Sequence, residues 1–314
     1  MGNMKKTLFQ IKNNIQKVII GNERAIRLIL IALISEGHVL IEDVPGVGKT
    51  TMVSCLARSL DLSFRRIQFT PDVLPSDITG FSMYNTKSGE MEYRPGLVMS
   101  HIVLADEINR TSPKTQSSLL EVMEESQVTV DGKTYPLPRP FMVLATQNPI
   151  EYIGTFPLPE AQLDRFFLKI SIGYPSIQEE MEIMSRFQHN TPLDYLQPVA
   201  TDEDIIQLQN HVKDIKVAPP IKEYIAQIVS NTRTHPDIAL GVSPRGAIFL
   251  MRAAQAHALL EGRDYVIPDD VQTMIVPVFS HRLILKPEAE LKKLSSDLIL
   301  QSIVDGMYVP VIEK

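Results

Sequence analysis

The sequence predicts an α/β fold in two parts: a parallel sheet flanked by helices, followed by a smaller, all-helical domain. Three observations carry this. Short, wholly apolar runs recur between helical stretches, as strands buried on both faces require. A glycine-rich loop stands where the first such run meets a helix. Beyond Gly173-Tyr174-Pro175 the apolar runs stop and only helical periodicity remains, which sets a boundary between 1–174 and 175–314.

Taken in order, Leu8, Ile11, Ile15 and Val18 fall at helical spacing and predict an amphipathic opening helix. Ile19-Ile20-Gly21-Asn22 breaks it, and a second helix runs from Glu23 to Ile34, with Asn22 as N-cap and Gly37 past its end. Strands follow at 38–41, 64–69, 102–105, 141–145 and 167–172, with a helix at 49–60 after the glycine-rich loop. Two segments interrupt this rhythm. Residues 79–96 are rich in Gly, Ser, Asn and Tyr and read as a strand-containing insert. Residues 127–135 alternate around Asp131-Gly132, a hairpin signal. The remainder reads as helices at 176–187, 202–212, 221–232, 244–260, 268–279 and 295–301.

Of the 314 residues, 44% are hydrophobic and 22% charged, the balance of a soluble globular chain with ample core. The net charge of -6 argues against a duplex-DNA binder, which needs concentrated Lys and Arg. Cys55 is the single cysteine, so an intrachain disulfide and a multi-cysteine metal site are both excluded. The apolar run 28–34 is too short to span a bilayer and no signal-peptide pattern opens the chain, so it reads as cytoplasmic. His38 and His257 lack partners at metal-ligand spacing and read as structural.

The strongest chemical signal is Glu42-Asp43-Val44-Pro45-Gly46-Val47-Gly48-Lys49-Thr50-Thr51, lying between a strand and a helix. Gly46 and Gly48 let successive backbone N–H groups curl toward a phosphate at a helix N-terminus. Lys49 is placed to bridge β- and γ-phosphates, and the Thr50 hydroxyl to ligate Mg²⁺. The general phosphate-loop pattern has Gly where this chain has Asp43, which predicts a changed start to the loop rather than lost binding.

A second signal is the apolar run 102–105 ending in Asp106-Glu107. Beside a phosphate loop, Asp106 would hold Mg²⁺ and Glu107 would polarise the attacking water. A third strand ends in Thr146-Gln147-Asn148-Pro149. Asn148 there is either a γ-phosphate or water contact or simply an Asn-Pro turn. Arg165, where a helix runs into the last strand, and Arg245, behind Ser243-Pro244 at a helix start, read alone as surface arginines.

Together these segments resemble the AAA+ ATPases, and specifically the MoxR family, over essentially the whole chain. The stretches that carry the resemblance are I-E-D-V-P-G-V-G-K-T, L-A-D-E-I-N-R-T-S-P-K-T-Q, L-A-T-Q-N-P-I-E and G-T-F-P-L-P-E-A-Q-L-D-R-F. The E-D-V-P start is common in that family. The resemblance implies Walker A roles for Lys49 and Thr50, Walker B roles for Asp106 and Glu107, and a sensor 1 role for Asn148. It implies that Arg245 is the sensor 2 arginine of a lid acting on ATP, and Arg165 a finger acting on a neighbour's ATP. Gly21 would lie along the adenine pocket, and residues 45–51 around the phosphates. Proteins like this form ring oligomers, usually hexamers, and often work with von Willebrand factor A domain partners. A nucleic-acid motor, a nucleotide-gated scaffold and a metabolite kinase are the alternatives. The acidic balance, the presence of Glu107, Asn148 and Arg165, and the helical second half respectively count against them.

Overall fold

The structure is a computed structural model that describes residues 2–44, 46–148, 154–188 and 192–310. Five strands form its sheet: β1 (Val39–Glu42), β2 (Phe64–Gln68), β3 (Ile102–Asp106), β4 (Met142–Gln147) and β5 (Leu168–Ile170). All pairings are parallel and the spatial order is β2-β3-β4-β1-β5. The three inner strands are those with unbroken apolar runs, because both of their faces are covered. β2 is an edge strand, and Arg65, Arg66 and Gln68 on it are exposed.

Before and within the sheet lie α1 (Gly2–Gln16), α2 (Glu23–Ile34), α3 (Lys49–Ser59), α4 (Pro75–Thr79), α5 (Pro113–Glu125) and α6 (Glu160–Leu163). One apolar cluster joins α1, α2 and α3 to one face of the sheet and continues into the second half of the chain. A second cluster, built around α5, covers the opposite face. The sequence reading assigned no helix to 113–125, although Ser112 caps it through the Thr115 N–H and Pro113 opens it. Asn22 does precede α2, but with left-handed backbone (φ 53°) and no side-chain cap bond.

The insert is an antiparallel hairpin, Gly80–Asn85 with Glu90–Pro95. The second hairpin pairs Gln127–Val130 with Lys133–Pro136. Its Asp131 and Gly132 both have positive φ, as a two-residue turn that follows strand twist requires. Tyr93 of the insert stacks on Tyr135 of the second hairpin, with ring centroids 3.9 Å apart.

The second half holds α7 (Ile177–Phe187), α8 (Asp202–Asp214), α9 (Pro219–Thr234), α10 (Pro244–Glu261), α11 (Pro268–Phe279), α12 (Pro287–Leu291) and α13 (Ser296–Asp305). It is helical apart from one short antiparallel ribbon, Ile238–Leu240 with Ile284–Leu285. The packing of α2 on α8 and α10 makes it a back-to-back partner of the α/β half. Among the described residues, no helix is long and apolar enough to cross a membrane.

Both histidines first read as structural are so. Buried His38 accepts the Val143 N–H at Nδ1 (3.0 Å), and its Nε2 donates to the Met123 carbonyl (3.0 Å). The ring is therefore neutral, and burial pushes its pKa down to about 4. His257 meets buried Asp270 at 2.6 Å beside Arg263. Cys55 is buried, its thiol pushed up to about 12 by desolvation.

Candidate active site

In a parallel sheet every strand's C-terminal end lies on the same edge. The loops after β1, β3 and β4 therefore converge there, and they bring together a cleft of about 350 Å³. Gly46, Gly48, Lys49, Thr50, Thr51, Asp106, Glu107 and Asn148 all line it. Gly46 and Gly48 have φ of +87° and +85°, a region that favours glycine, and a Cβ on either would meet open space. The loop so curled opens α3, whose N-terminus favours anions. Pro45 lies outside the described residues.

Asp43 explains the departure from the glycine pattern. It is buried, and its Oδ2 accepts the N–H groups of Ile172 (2.6 Å) and Gly173 (2.7 Å). Its Oδ1 accepts the Val44 N–H at 2.9 Å, and its carbonyl accepts from Lys49 Nζ at 2.9 Å. One side chain thus ties the start of the phosphate loop to the end of the sheet and holds the loop lysine by its own backbone.

Sheet register builds the acidic end of the cleft. Gln68 is opposite Asp106 across β2 and β3, and the register of β3 on β4 puts Thr146 on Asp106's other side. The Thr146 hydroxyl donates to Asp106 Oδ1 (2.6 Å) and accepts the Glu107 N–H (2.8 Å). Arg66 grips Asp106 Oδ2 through Nη2 (2.6 Å) and Nε (3.1 Å). Gln68 and Arg110 both donate to Glu107 Oε2, at 2.9 and 3.0 Å. Glu107 has φ +57°, a strained conformation for a non-glycine residue of the kind held at functional sites. The donor set offered by Thr50 and Asp106 is hard oxygen, which suits Mg²⁺ shared with phosphates.

A second cleft of about 190 Å³ adjoins the loop, lined by Ile19, Ile20, Val47, Met52, Ile183 and Phe187 among others. Its lining is mostly apolar. Gly21 stands at its wall rather than in it. It has φ +67°, and a Cβ there would fall 2.1 Å from Glu179 Oε1 on α7.

Neither Arg165 nor Arg245 lines the phosphate cleft of its own chain. Arg165 precedes β5, so it sits at the N-terminal edge of the sheet, one strand length or about 10 Å from the loop edge. Arg165 Nε meets Glu124 at 3.2 Å and Arg245 Nη2 meets it at 2.6 Å. The preceding Asp164 accepts from Arg282 Nε (2.8 Å) and from the Ser243 hydroxyl (3.1 Å). Arg282 is almost wholly buried. Desolvation lowers it to about 10 against the opposing pull of Asp164.

A phosphate loop after β1, an acid pair after β3, a polar residue after β4 and a helical domain behind the sheet define an AAA+ ATPase. The sequence model of the ATPase family associated with various cellular activities (AAA) matches residues 38–168, and that of the AAA lid domain matches 230–303. YeaC of Bacillus subtilis is 56% identical over 95% of this chain and 93% of its own. Chaperone MoxR1 of Mycobacterium tuberculosis is 40% identical, over 98% of this chain and 82% of its own. A crystal structure of a candidate ATPase from Cytophaga hutchinsonii superposes with a TM-score of 0.93. It is 39% identical and covers 98% of this chain and 96% of that one. The chain belongs to the MoxR family of AAA+ ATPases.

The sequence reading missed Arg66, Gln68, Thr146, Glu124 and Arg282. Arg66 and Gln68 alternate along a strand with no motif to single them out, and the other three partner residues at least 39 positions distant.

Proposed function

We propose that this chain hydrolyses ATP with Mg²⁺ in a ring whose subunits complete one another's sites, and that turnover remodels or matures a partner protein. The observation that carries the shared site is the position of Arg165 and Arg245. They lie together on Glu124 at the sheet edge opposite their own phosphate loop. A finger so placed serves an ATP held by the next subunit. We extend the same role to Arg245.

In this reading the Gly46–Thr51 backbone and Lys49 hold the phosphates, and Thr50 and Asp106 hold Mg²⁺, which neutralises charge on the transferring group. Glu107 takes the proton of the attacking water and Asn148 orients that water. Ile20, Val47, Ile183 and Phe187 enclose the base, with Gly21 shaping the wall. The α/β unit is 1–174 and the lid 175–314, so a lid arginine also reports on the neighbour's nucleotide. The name chaperone carried by MoxR1 supports protein remodelling. The family resemblance supports a von Willebrand factor A domain partner and a hexameric ring, and the cytoplasmic setting read from the sequence is kept as part of the proposal. The net charge of -6 counts against nucleic acid.

The test is trans-complementation. Lys49→Ala abolishes ATP binding, while Arg165→Ala binds ATP but hydrolyses it about 10³-fold slower or worse. Mixed, the two variants regain turnover, because some interfaces pair an intact loop with an intact finger. A mixture no more active than the sum of its parts would refute the shared site.

A further inference from the structure

Both carboxylate oxygens of Asp106 already have donors, and one of the donors is a cation. Its Oδ1 is taken by the Thr146 hydroxyl, and its Oδ2 by two nitrogens of Arg66. The same Arg66 Nη2 donates to Gln68 Oε1 at 2.7 Å. That contact fixes the amide so that Gln68 Nε2 faces Glu107 Oε2, at 2.9 Å. Four side chains on the ends of two adjacent strands therefore form one chain of contacts, from the metal carboxylate to the water-activating carboxylate. Arg66 is about half exposed, so nothing in the packing prevents it from swinging into solvent.

We propose that Arg66 is a resident counter-cation for Asp106. In the metal-free chain it holds that carboxylate, and it yields the oxygen when a divalent ion takes it. An arginine and a divalent ion on one oxygen repel each other, so occupancy by one excludes the other. Gln68 makes the exchange consequential. While Arg66 is in place, the amide stays turned toward Glu107 and occupies the oxygen that would accept a proton. Once Arg66 leaves, that restraint on the amide is gone. Arg66 and Gln68 are positioning residues: they make withdrawal of the Gln68 amide from Glu107, whose Oε2 Arg110 also holds, conditional on a loaded metal site. The inference rests on the ATP reading above.

The experiment uses the full chain and a fluorescent ATP analogue, titrating Mg²⁺ at fixed nucleotide and reading binding rather than turnover. Arg66→Ala reaches half-maximal response at roughly fivefold lower Mg²⁺ than the wild type, as removal of a half-exposed ion pair allows. Arg66→Lys stays within about twofold of wild type, because one point charge keeps most of the competition. Gln68→Ala removes one of the two acceptors of Arg66 and lowers the requirement by about twofold. The double variant matches Arg66→Ala alone, since both changes act on one contact chain. An unchanged Mg²⁺ requirement in Arg66→Ala would overturn the proposal. So would weaker analogue binding by that variant in EDTA, which would make Arg66 a phosphate ligand instead. Lys49→Ala run alongside reads the ATP site itself: if it binds the analogue like wild type, the ATP reading fails, whatever Arg66 does.

Discussion

Replacing Asp43 by glycine would restore the general phosphate-loop pattern and yet harm this protein. The side chain gives buried Oδ2 to two backbone N–H groups, those of Ile172 and Gly173, and Oδ1 to a third, that of Val44. Charge-assisted bonds of this kind are each worth about 1.5–3 kcal/mol, and glycine leaves their donors without a partner. Because water can reach the partly exposed Val44 and Gly173, we take the two bonds to Oδ2 at near the middle of that range, about 4 kcal/mol in all. Unfolding entropy of about 2.1 cal/mol/K per residue over 314 residues turns this into a Tm lower by about 6 °C. Differential scanning calorimetry without nucleotide measures it. Asp43→Asn, which keeps one acceptor oxygen, falls between. Nucleotide affinity drops as well, because Lys49 is held by the Asp43 carbonyl and glycine loosens the backbone that presents it. A glycine variant melting within 1 °C of wild type would show that the Asp43 contacts do not support the loop.

Arg282→Ala takes the guanidinium from the Asp164 carboxylate and from the carbonyls of Asp164, Phe166, Phe167 and Val278, so urea denaturation should show a loss of about 3 kcal/mol, the low end for breaking a buried pair. Gly21→Ala forces a Cβ onto Glu179 at a positive φ and should weaken nucleotide binding more than it lowers Tm, read by analogue titration and melting together. Glu107→Gln should bind ATP with wild-type affinity and lose turnover; a variant as active as wild type removes Glu107 from the base role. For the pH dependence, the folded chain refuses a proton at His38 that the unfolded chain accepts from its ordinary value of 6.5 down to about 4. The unfolded state binds more protons there, so stability falls as pH drops through that window, by about 3 kcal/mol in total for this residue. His281, also pushed down by burial, adds in the same direction. Urea midpoints that do not change between pH 6.5 and 4 would refute the buried neutral ring.

Much of this fold is written in local pattern. The runs 102–105 and 141–145 are apolar because β3 and β4 are covered on both faces, and that constraint is visible in any window. The phosphate loop and the Asp106-Glu107 pair are contiguous, so their chemistry was legible too. What stayed hidden depends on partners far along the chain. The use of Asp43 is set by amides 129 and 130 positions away. Arg66 and Gln68 obey the alternation of an exposed strand, and only the register of β2 on β3 reveals what they face. Arg245 shows what local pattern leaves out. Its helix start was recognised, but which edge of the sheet it faces depends on how the lid docks through α2, a tertiary fact with no local signature.

The stacked pair Tyr93 and Tyr135 gives the two hairpins a mechanical relation that neither has alone. A single hairpin on a flexible stem damps motion, because its base can pivot without moving its tip. Two hairpins rooted at different places and clamped ring to ring form a truss. The first is rooted beyond β2, at the end where Arg66 and Gln68 sit, and the second beyond α5, at the end where Glu124 sits. The exposed side chains Phe81, Met83, Tyr84 and Met91 ride on that truss. A displacement at either root would then reach the same row of exposed apolar side chains along the first hairpin, which would answer to two inputs instead of one.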